Sequence, residues 1–267
     1  MPVSKDLTKA IADYLRSQGI TGHSELAQGD LSEILADAFV DNCLTVRPAN
    51  EVDISQAKEI SAIVGFAFGN QFEAHGNRNA GPVVNKLLAE TVMSYFGKLE
   101  EQDQKPDVVV VQWEIGFHMQ NMGFTDRKLV VLEPKPDIEK DAVGYVNTKD
   151  VVERLIGELG GKPVEGSTKA EAEALLAAAK NKRILVVAHP DHSRRCVKTL
   201  GSEGFTKVSA AQHALPSDAA EWYDPNSGQL WTRTRHLYLL HDAIGCLSLH
   251  RGAMNKKAKG VGIWGKR

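Results

Sequence analysis

Four short apolar segments, each followed by polar residues, constrain the fold of this chain more than any other feature. They lie at residues 62–68, 107–111, 128–132 and 183–188, and the second contains four consecutive valines. Segments whose apolar residues have helical spacing separate them, at 83–98, 148–160 and 167–180. Short strands that are apolar on both faces and alternate with helices are typical of a parallel sheet covered on both sides. The sequence therefore predicts a doubly wound, mainly parallel, Rossmann-like α/β fold.

The rest of the chain adds a segment in front of this sheet and a basic end behind it. Residues 1–58 include Leu7, Ile11 and Leu15 at helical spacing, so we expect an N-terminal helical extension packed on the main domain. Residues 59–252 then form the α/β domain. Residues 253–267 contain four lysines, one arginine and no acidic residue, and we interpret them as a solvated, basic C-terminal tail.

Composition and charge argue against several classes of protein. The formal net charge is -2, so no overall positive field favours nucleic acid or an anionic membrane. No apolar run reaches the roughly 18 residues of a transmembrane helix, and the N-terminus lacks the apolar core of a secretory signal. Cys43, Cys196 and Cys246 have neither disulfide nor zinc spacing, which indicates a reducing compartment. We expect a cytoplasmic protein with no membrane anchor and no nucleic-acid partner.

Every predicted strand ends in polar residues. The loop GNQFEAHGNRNAGPVVN follows the first strand, QWE the second, EP and then NTKD the third, and HPDHSRR the fourth. Ligands of open parallel sheets bind beyond the carboxyl ends of the strands, so we predict a small-molecule site there. The first loop is longer than ordinary connections, and its glycines permit a close approach to a ligand. It contains neither the dinucleotide nor the phosphate-loop fingerprint.

The segment HPDHSRR puts two arginines where a helix disfavours them. Pro190 suits the first turn of a helix, so Arg194 and Arg195 fall in its first or second turn. Cations there oppose the positive end of the helix dipole, at a cost of roughly a few tenths of a kcal/mol each. With an anion docked at the N-terminus, the arginines become favourable there, because the backbone N–H groups and the guanidiniums both bind the anion. We predict a small anionic ligand on one or both arginines; the alternative is that one points to solvent and the other pairs with a local acid.

The histidines of the same segment have two interpretations. His189, Asp191 and His192 supply the nitrogen and oxygen ligands that zinc accepts. Alternatively, His189 or His192 is a general acid or base tuned by Asp191. Glu114, just after the second strand, is a candidate general base, unless it caps a helix. We predict His189, His192 and Glu114 as catalytic residues without a metal, and keep zinc as the alternative cofactor.

Further residues of these loops are predicted to contact the ligand. Trp231 and Arg233 belong to the segment WYDPNSGQLWTRTR, which either closes over the site or forms an aromatic lid on the core. The predicted ligand-binding residues are Gly69, Asn70, Asn77, Arg78, Asn85, Gln112, Thr148, Asp191, Arg194, Arg195, Trp231 and Arg233.

The segment AHPDHS resembles part of the A-H-P-D-D-E motif of the LmbE-like zinc deacetylases. It keeps Ala188, His189, Pro190 and Asp191 but lacks the Asp and Glu that follow, and no later His-x-x-His appears. That resemblance implies a zinc-dependent hydrolase of deacetylase type.

The order of motifs along residues 60–252 resembles the YdcF-like (SanA/ElyC-like) domain family. AIVGFAFGN is similar to its first strand and glycine loop, and VVVVQWE to its second strand, without the usual Ser-Gly-Gly end. NTKD is similar to its Asn-Thr-x-Glu-Asn helix start, with Asp150 in place of the acid, and HSRR to its His-x-x-Arg; HLYLLHDAIGCLSLHRG looks like its last helix. The resemblance implies a doubly wound sheet, with S-adenosylmethionine as a suggested ligand. Many members are membrane-anchored and linked to the cell envelope, but we expect no anchor here.

Three functional hypotheses follow from the sequence. The first is a YdcF-like enzyme of unknown reaction that binds a small anionic metabolite or nucleotide-type ligand at the carboxyl edge of the sheet. The second is a zinc-dependent deacetylase-type hydrolase that uses AHPDH. The third is a ligand-binding regulatory module without catalysis.

Overall fold

The computed structural model describes residues 51–69, 71–72, 78–79, 83–134, 136–137, 142–143, 146–163, 165–216, 219–235, 237–238 and 241–242. The chain divides into two compact units, Arg47–Leu237 and a second made of Met1–Val46 with Tyr238–Arg267. In the second unit, the Tyr238 hydroxyl donates a hydrogen bond to Asp242 Oδ1 at 3.0 Å. Most of the extension predicted at 1–58 and the whole tail at 253–267 lie outside the described residues, so the domain boundaries stay predictions.

A six-stranded sheet, parallel in every neighbouring pair, organises the larger unit. Its order is β1–β6–β5–β2–β3–β4, where the strands are β1 Glu51–Val52, β2 Ala62–Phe66, β3 Val108–Gln112, β4 Leu129–Leu132, β5 Arg183–Ala188 and β6 Lys207–Ala211. The chain leaves β2 towards β3 and β4, then returns to the other side of β2 for β5 and β6. The predicted doubly wound, Rossmann-like α/β fold is confirmed.

Complete burial explains why the central strands are apolar without alternation. Every residue of β2 and of β3 is buried, and in β5 only Arg183, at its start, is exposed. The strands towards one edge are less buried: β6 begins with the exposed Lys207, and the edge strand β1 is only half-buried. Because β1 lies at 51–52, the sheet starts before residue 59.

Helices cover both faces of the sheet. They are α1 Val83–Glu101, α2 Trp113–Asn121, α3 Thr148–Glu158, α4 Lys169–Lys180 and α5 Pro190–Ser202. Alternate strand residues such as Val64 and Val186 form one core with α3 and α5. The opposite face lies against α1 and α2. No helix in the described ranges is long and apolar enough to cross a membrane.

Local polar pairs fix where α3 and α4 begin. The Asn147 side chain accepts hydrogen bonds from the N–H groups of Lys149 and Asp150, and the Asp150 carboxylate accepts from the Asn147 N–H. Thr168 and Glu171 form the same reciprocal pair at α4. Both pairs satisfy N–H groups that the first turn of a helix leaves unbonded.

Gly116 of α2 lies so close to β4 that a side chain has no room. An ideal Cβ there would lie 2.6 Å from Val131 Cγ2 and 2.7 Å from Val131 Cγ1. We expect Gly116→Ala to lower the free energy of unfolding by about 1–3 kcal/mol, because overpacking displaces Val131. Gly97→Ala in α1 is the matched control, since nothing lies within 4 Å of its ideal Cβ. Gly97→Ala should raise the free energy of unfolding by roughly 0.5–1 kcal/mol. Equal effects of the two substitutions in urea unfolding would contradict the close packing of Gly116 on Val131.

Candidate functional site

The neighbouring strands β2 and β5 form the switch point of the sheet. Their pairing runs from Ala62 opposite Ile184 to Phe66 opposite Ala188, so both strands end at the same level. The chain after β2 leads to α1 on one face, whereas the chain after β5 enters α5 on the other. Diverging connections leave a crevice at the carboxyl edge, which is where ligands of doubly wound sheets bind.

Two buried amides hold the backbone that follows β2. Gln112 Oε1 accepts from the Ala67 N–H at 2.7 Å, and its Nε2 donates to the Val146 carbonyl at 2.5 Å. Asn85 Oδ1 accepts from the Phe68 N–H at 2.9 Å, and its Nδ2 donates to the Gly69 carbonyl at 3.1 Å. These side chains, predicted as ligand-binding, thus shape the wall of the crevice.

Gly69 itself takes a backbone conformation that favours glycine. Its φ is 77°, in the left-handed region where a Cβ is strained. The predicted residues Asn70 and Asn77 lie outside the described residues, and of Arg78 only the backbone, in a two-residue antiparallel pairing with Gln71–Phe72, is described.

His189 is the N-cap of α5. Its Nδ1 accepts a hydrogen bond from the Asp191 N–H at 3.0 Å, so the neutral ring carries its proton on Nε2. The fully buried ring stacks on Phe68, with centroids 3.7 Å apart, and meets the rings of Trp222 and Tyr223 edge-on. His189 therefore joins the ends of β5 and β2 through its ring.

Burial keeps His189 neutral. Burial lowers its pKa well below the ordinary value, and electrostatic interactions with His192, His213 and Arg235 act in the same direction. A hydrogen bond with the Trp222 backbone acts in the opposite direction. A buried, neutral ring whose Nδ1 is taken by a backbone N–H is better suited to holding structure than to moving protons; its predicted catalytic role stays a prediction.

Asp191 forms the charged centre of this region. Its carboxylate accepts from Arg235 Nε at 2.9 Å and Nη2 at 3.3 Å, and from the Tyr223 hydroxyl at 2.5 Å. The Asp191 side chain is 0% exposed and that of Arg235 30% exposed. Burial, followed by the Asp191 charge, raises the pKa of Tyr223, so its phenol stays protonated and donates.

Tyr223 and Arg235 are functional neighbours that the sequence reasoning missed. It selected the segment that contains them but named Trp231 and Arg233. Arg233 Nε instead donates to the Ser227 carbonyl at 2.7 Å, which fixes a local turn, and Trp231 is 38% exposed. The sequence shows Arg233 and Arg235 in this segment and Asp191 in HPDH. Only the fold shows that Arg235 is the arginine that reaches the carboxylate.

The other predicted residues take different positions around the carboxyl edge. His192 is buried, with its ring edge-on to Phe66, and Glu114 is buried in the first turn of α2. Arg194 and Arg195 are half-buried in the second turn of α5. Thr148 is the first residue of α3, directly after its cap.

The contacts of AHPDH do not fit a zinc site. The Nδ1 lone pair of His189 is taken by the Asp191 N–H, and the Asp191 carboxylate is bound by Tyr223 and Arg235. A zinc ion would have to displace these partners. Among the described residues, no group of three or more His, Cys, Asp and Glu side chains could hold a metal ion.

His213 is a second neutral histidine beside the site. Its Nε2 lies 2.7 Å from the Ala188 carbonyl and donates to it, and its ring meets Trp222 edge-on at 5.0 Å. Burial lowers the pKa of His213 to about 4, against the weaker opposite effect of that hydrogen bond. Trp222 therefore lies between two uncharged imidazoles, His189 and His213.

No family model matches the chain, and no curated protein and no solved structure matches it with significance. The resemblances to the YdcF-like and LmbE-like families stay predictions.

The buried pair of Asp191 and Arg235 should contribute much more stability than a surface pair. We expect Asp191→Asn to lower the free energy of unfolding by about 3 kcal/mol, because it leaves a part-buried guanidinium without its counter-charge. Glu158→Gln is the matched control, since Arg154 pairs with Glu158 at 2.7 Å on the exposed side of α3. That change should cost about 0.5 kcal/mol or less. Similar losses for both variants in urea unfolding would contradict the central role of Asp191.

Both neutral histidines should make the fold less stable in acid. The pKa values of both histidines are lower in the folded protein than in the unfolded chain. Below the ordinary value of 6.5 the unfolded chain therefore binds more protons, and the free energy of unfolding decreases as the pH decreases. His213 should account for about 2 kcal/mol of the loss at pH 5 relative to pH 7. Gln at this position keeps a hydrogen-bond donor for the Ala188 carbonyl. We therefore expect the free energy of unfolding of His213→Gln to fall less between pH 7 and pH 5 than that of the parent, by that amount. Urea unfolding at the two pH values measures this, and equal pH dependence of variant and parent would refute it.

Proposed function

We propose that this chain binds a small nucleotide-type ligand with an anionic group, in the crevice between β2 and β5. The observation that carries the proposal is the reversal of strand order at this pair, with α1 and α5 on opposite faces of the sheet. Such a crevice is the usual ligand position in doubly wound sheets. The buried amides of Gln112 and Asn85, which hold the β2 loop, give it a preformed wall.

The two helix N-termini at the crevice differ in their fitness for an anion. The first turn of α5 contains Asp191, whose negative charge already lies against that positive helix end. The first turn of α1 contains no acidic residue, and it follows the long glycine-containing loop. We therefore assign the anionic group to the α1 side of the crevice, with Arg194 or Arg195 of α5 as its counter-charge.

For proton transfer to a bound ligand, His192 and Glu114 are better candidates than His189. The Nδ1 of His189 is engaged by a backbone N–H, and burial holds the ring neutral. His192 and Glu114 lie beyond the ends of β5 and β3, respectively, on the same edge of the sheet. S-adenosylmethionine, which the YdcF-like resemblance implies, carries a carboxylate that this site would hold.

A thermal-shift experiment with AMP, ATP, NAD and S-adenosylmethionine tests the proposal. At one hundred times its Kd, a ligand adds about 2.7 kcal/mol of stability, so Tm should rise by roughly 5–10 °C. Adenosine, which lacks the anion, should give a smaller shift. The double variant Arg194→Ala/Arg195→Ala should lose the difference between AMP and adenosine, whereas Arg154→Ala, at an exposed position of α3, should keep it. If none of these ligands shifts Tm, the proposal is wrong; if the double variant responds like the parent, the role of the arginines is wrong.

A further inference from the structure

A cavity of about 460 Å³ lies at the carboxyl ends of β1 and β6, beside the switch-point crevice. Asp53 follows β1, Gln212 and His213 follow β6, and α1 forms the opposite wall. Its volume lies within the roughly 300–1,000 Å³ that is typical of small-molecule sites. None of the predicted site residues that the structure describes lines it.

One stripe of α1 forms the helical wall. Leu87, Glu90, Thr91, Ser94 and Tyr95 line the cavity, and their spacing of three and four places them on one side of the helix.

The Tyr95 hydroxyl locks this stripe to the sheet. It donates to the Val52 carbonyl at 2.5 Å and accepts from the Gln212 N–H at 3.0 Å. Because one hydroxyl joins α1 to the ends of both β1 and β6, the cavity is a built feature of the fold.

The polar lining is rich in hydrogen-bond acceptors. The Thr91 hydroxyl donates to the Leu87 carbonyl and the Ser94 hydroxyl to the Glu90 carbonyl, both at 2.8 Å. Their protons are thus engaged by the helix backbone, and their oxygens can only accept from a ligand. The carboxylates of Asp53 and Glu90 add two further acceptors, each with negative charge.

Among the described residues that line the cavity, none is a lysine or an arginine. His213 is neutral at neutral pH, because burial lowers its pKa to about 4. Lys86 Nζ lies 3.8 Å from Glu90 Oε1 in a solvent-exposed pair of little strength. Ile54, Leu215 and Trp222 supply an apolar surface on the other sides.

We propose that this cavity binds a small organic cation, a protonated amine with an apolar or aromatic body. The ammonium group donates to Asp53, Glu90 and the hydroxyl oxygens of α1, and the body packs against Ile54, Leu215 and Trp222. An ammonium has three donors and no acceptor, which matches a lining of acceptors with negative charge. This site lies at other strands than the anion site at the switch point, and α1 borders both.

Titration calorimetry with matched probes tests the proposal. Phenethylamine, tryptamine and spermidine are the cations. Phenylacetate and indole-3-acetate are anions with the same aromatic rings as the first two amines. We expect at least one of the amines to bind and neither anion to do so. Asp53→Asn/Glu90→Gln should weaken amine binding about tenfold or more, because each charge-assisted hydrogen bond becomes a neutral one. Glu101→Gln, an exposed acid on the same helix outside the cavity, should change nothing.

Ser94→Phe gives an independent test that leaves all charges in place. Ser94 is exposed on α1, so the larger ring should fill the cavity without unfolding the protein. We expect it to abolish amine binding and to leave any nucleotide-induced rise in Tm unchanged. Conversely, Arg194→Ala/Arg195→Ala should bind amines like the parent. Absence of binding by all three amines, equal binding of the anions, or full affinity in either cavity variant would overturn the proposal.

Discussion

The parallel pairing of β2 with β5 is the constraint on which the rest of the carboxyl edge depends. Because Phe66 pairs with Ala188, the residues that follow each strand emerge side by side. Phe68 can then stack on His189, although the two are far apart in the chain. The five buried residue pairs of this register leave no freedom to slide, since a slip of one position would exchange the faces packed on α1 and on α5.

Buried polar groups then hold what the pairing brings together. Gln112 bonds to Ala67 and Val146, and Asp191 to Tyr223 and Arg235, all of them distant in sequence. A buried amide or carboxylate without such partners would cost more than its hydrogen bonds contribute. These contacts therefore specify one arrangement of the loops, and a crevice with fixed walls follows from them.

The sheet could be predicted because burial on both faces demands continuous apolar strands, such as the four valines of β3. The edge strand β1 could not, since Glu51–Val52 has two residues and no pattern. At the site, the sequence indicated HPDH correctly as part of the carboxyl edge. It could not indicate that Arg235 rather than Arg233 meets Asp191, because that choice depends on the path of the chain after β6. Nor could it reveal a cavity built from α1, β1 and β6 together.

The two proposed ligands differ in charge, and α1 explains how one helix can serve both. Its N-terminal end at the switch point carries the partial positive charge of the helix dipole, which acts only over about the first turn. Glu90 lies seven residues further on, roughly 10 Å along the axis at 1.5 Å per residue. There the side chains, not the helix dipole, set the electrostatic potential. The hydroxyls of Thr91 and Ser94 already donate hydrogen bonds to backbone carbonyls, so towards a ligand they act as acceptors. An anion at the end of α1 and a cation along its side are therefore compatible, because each responds to a different part of the same helix.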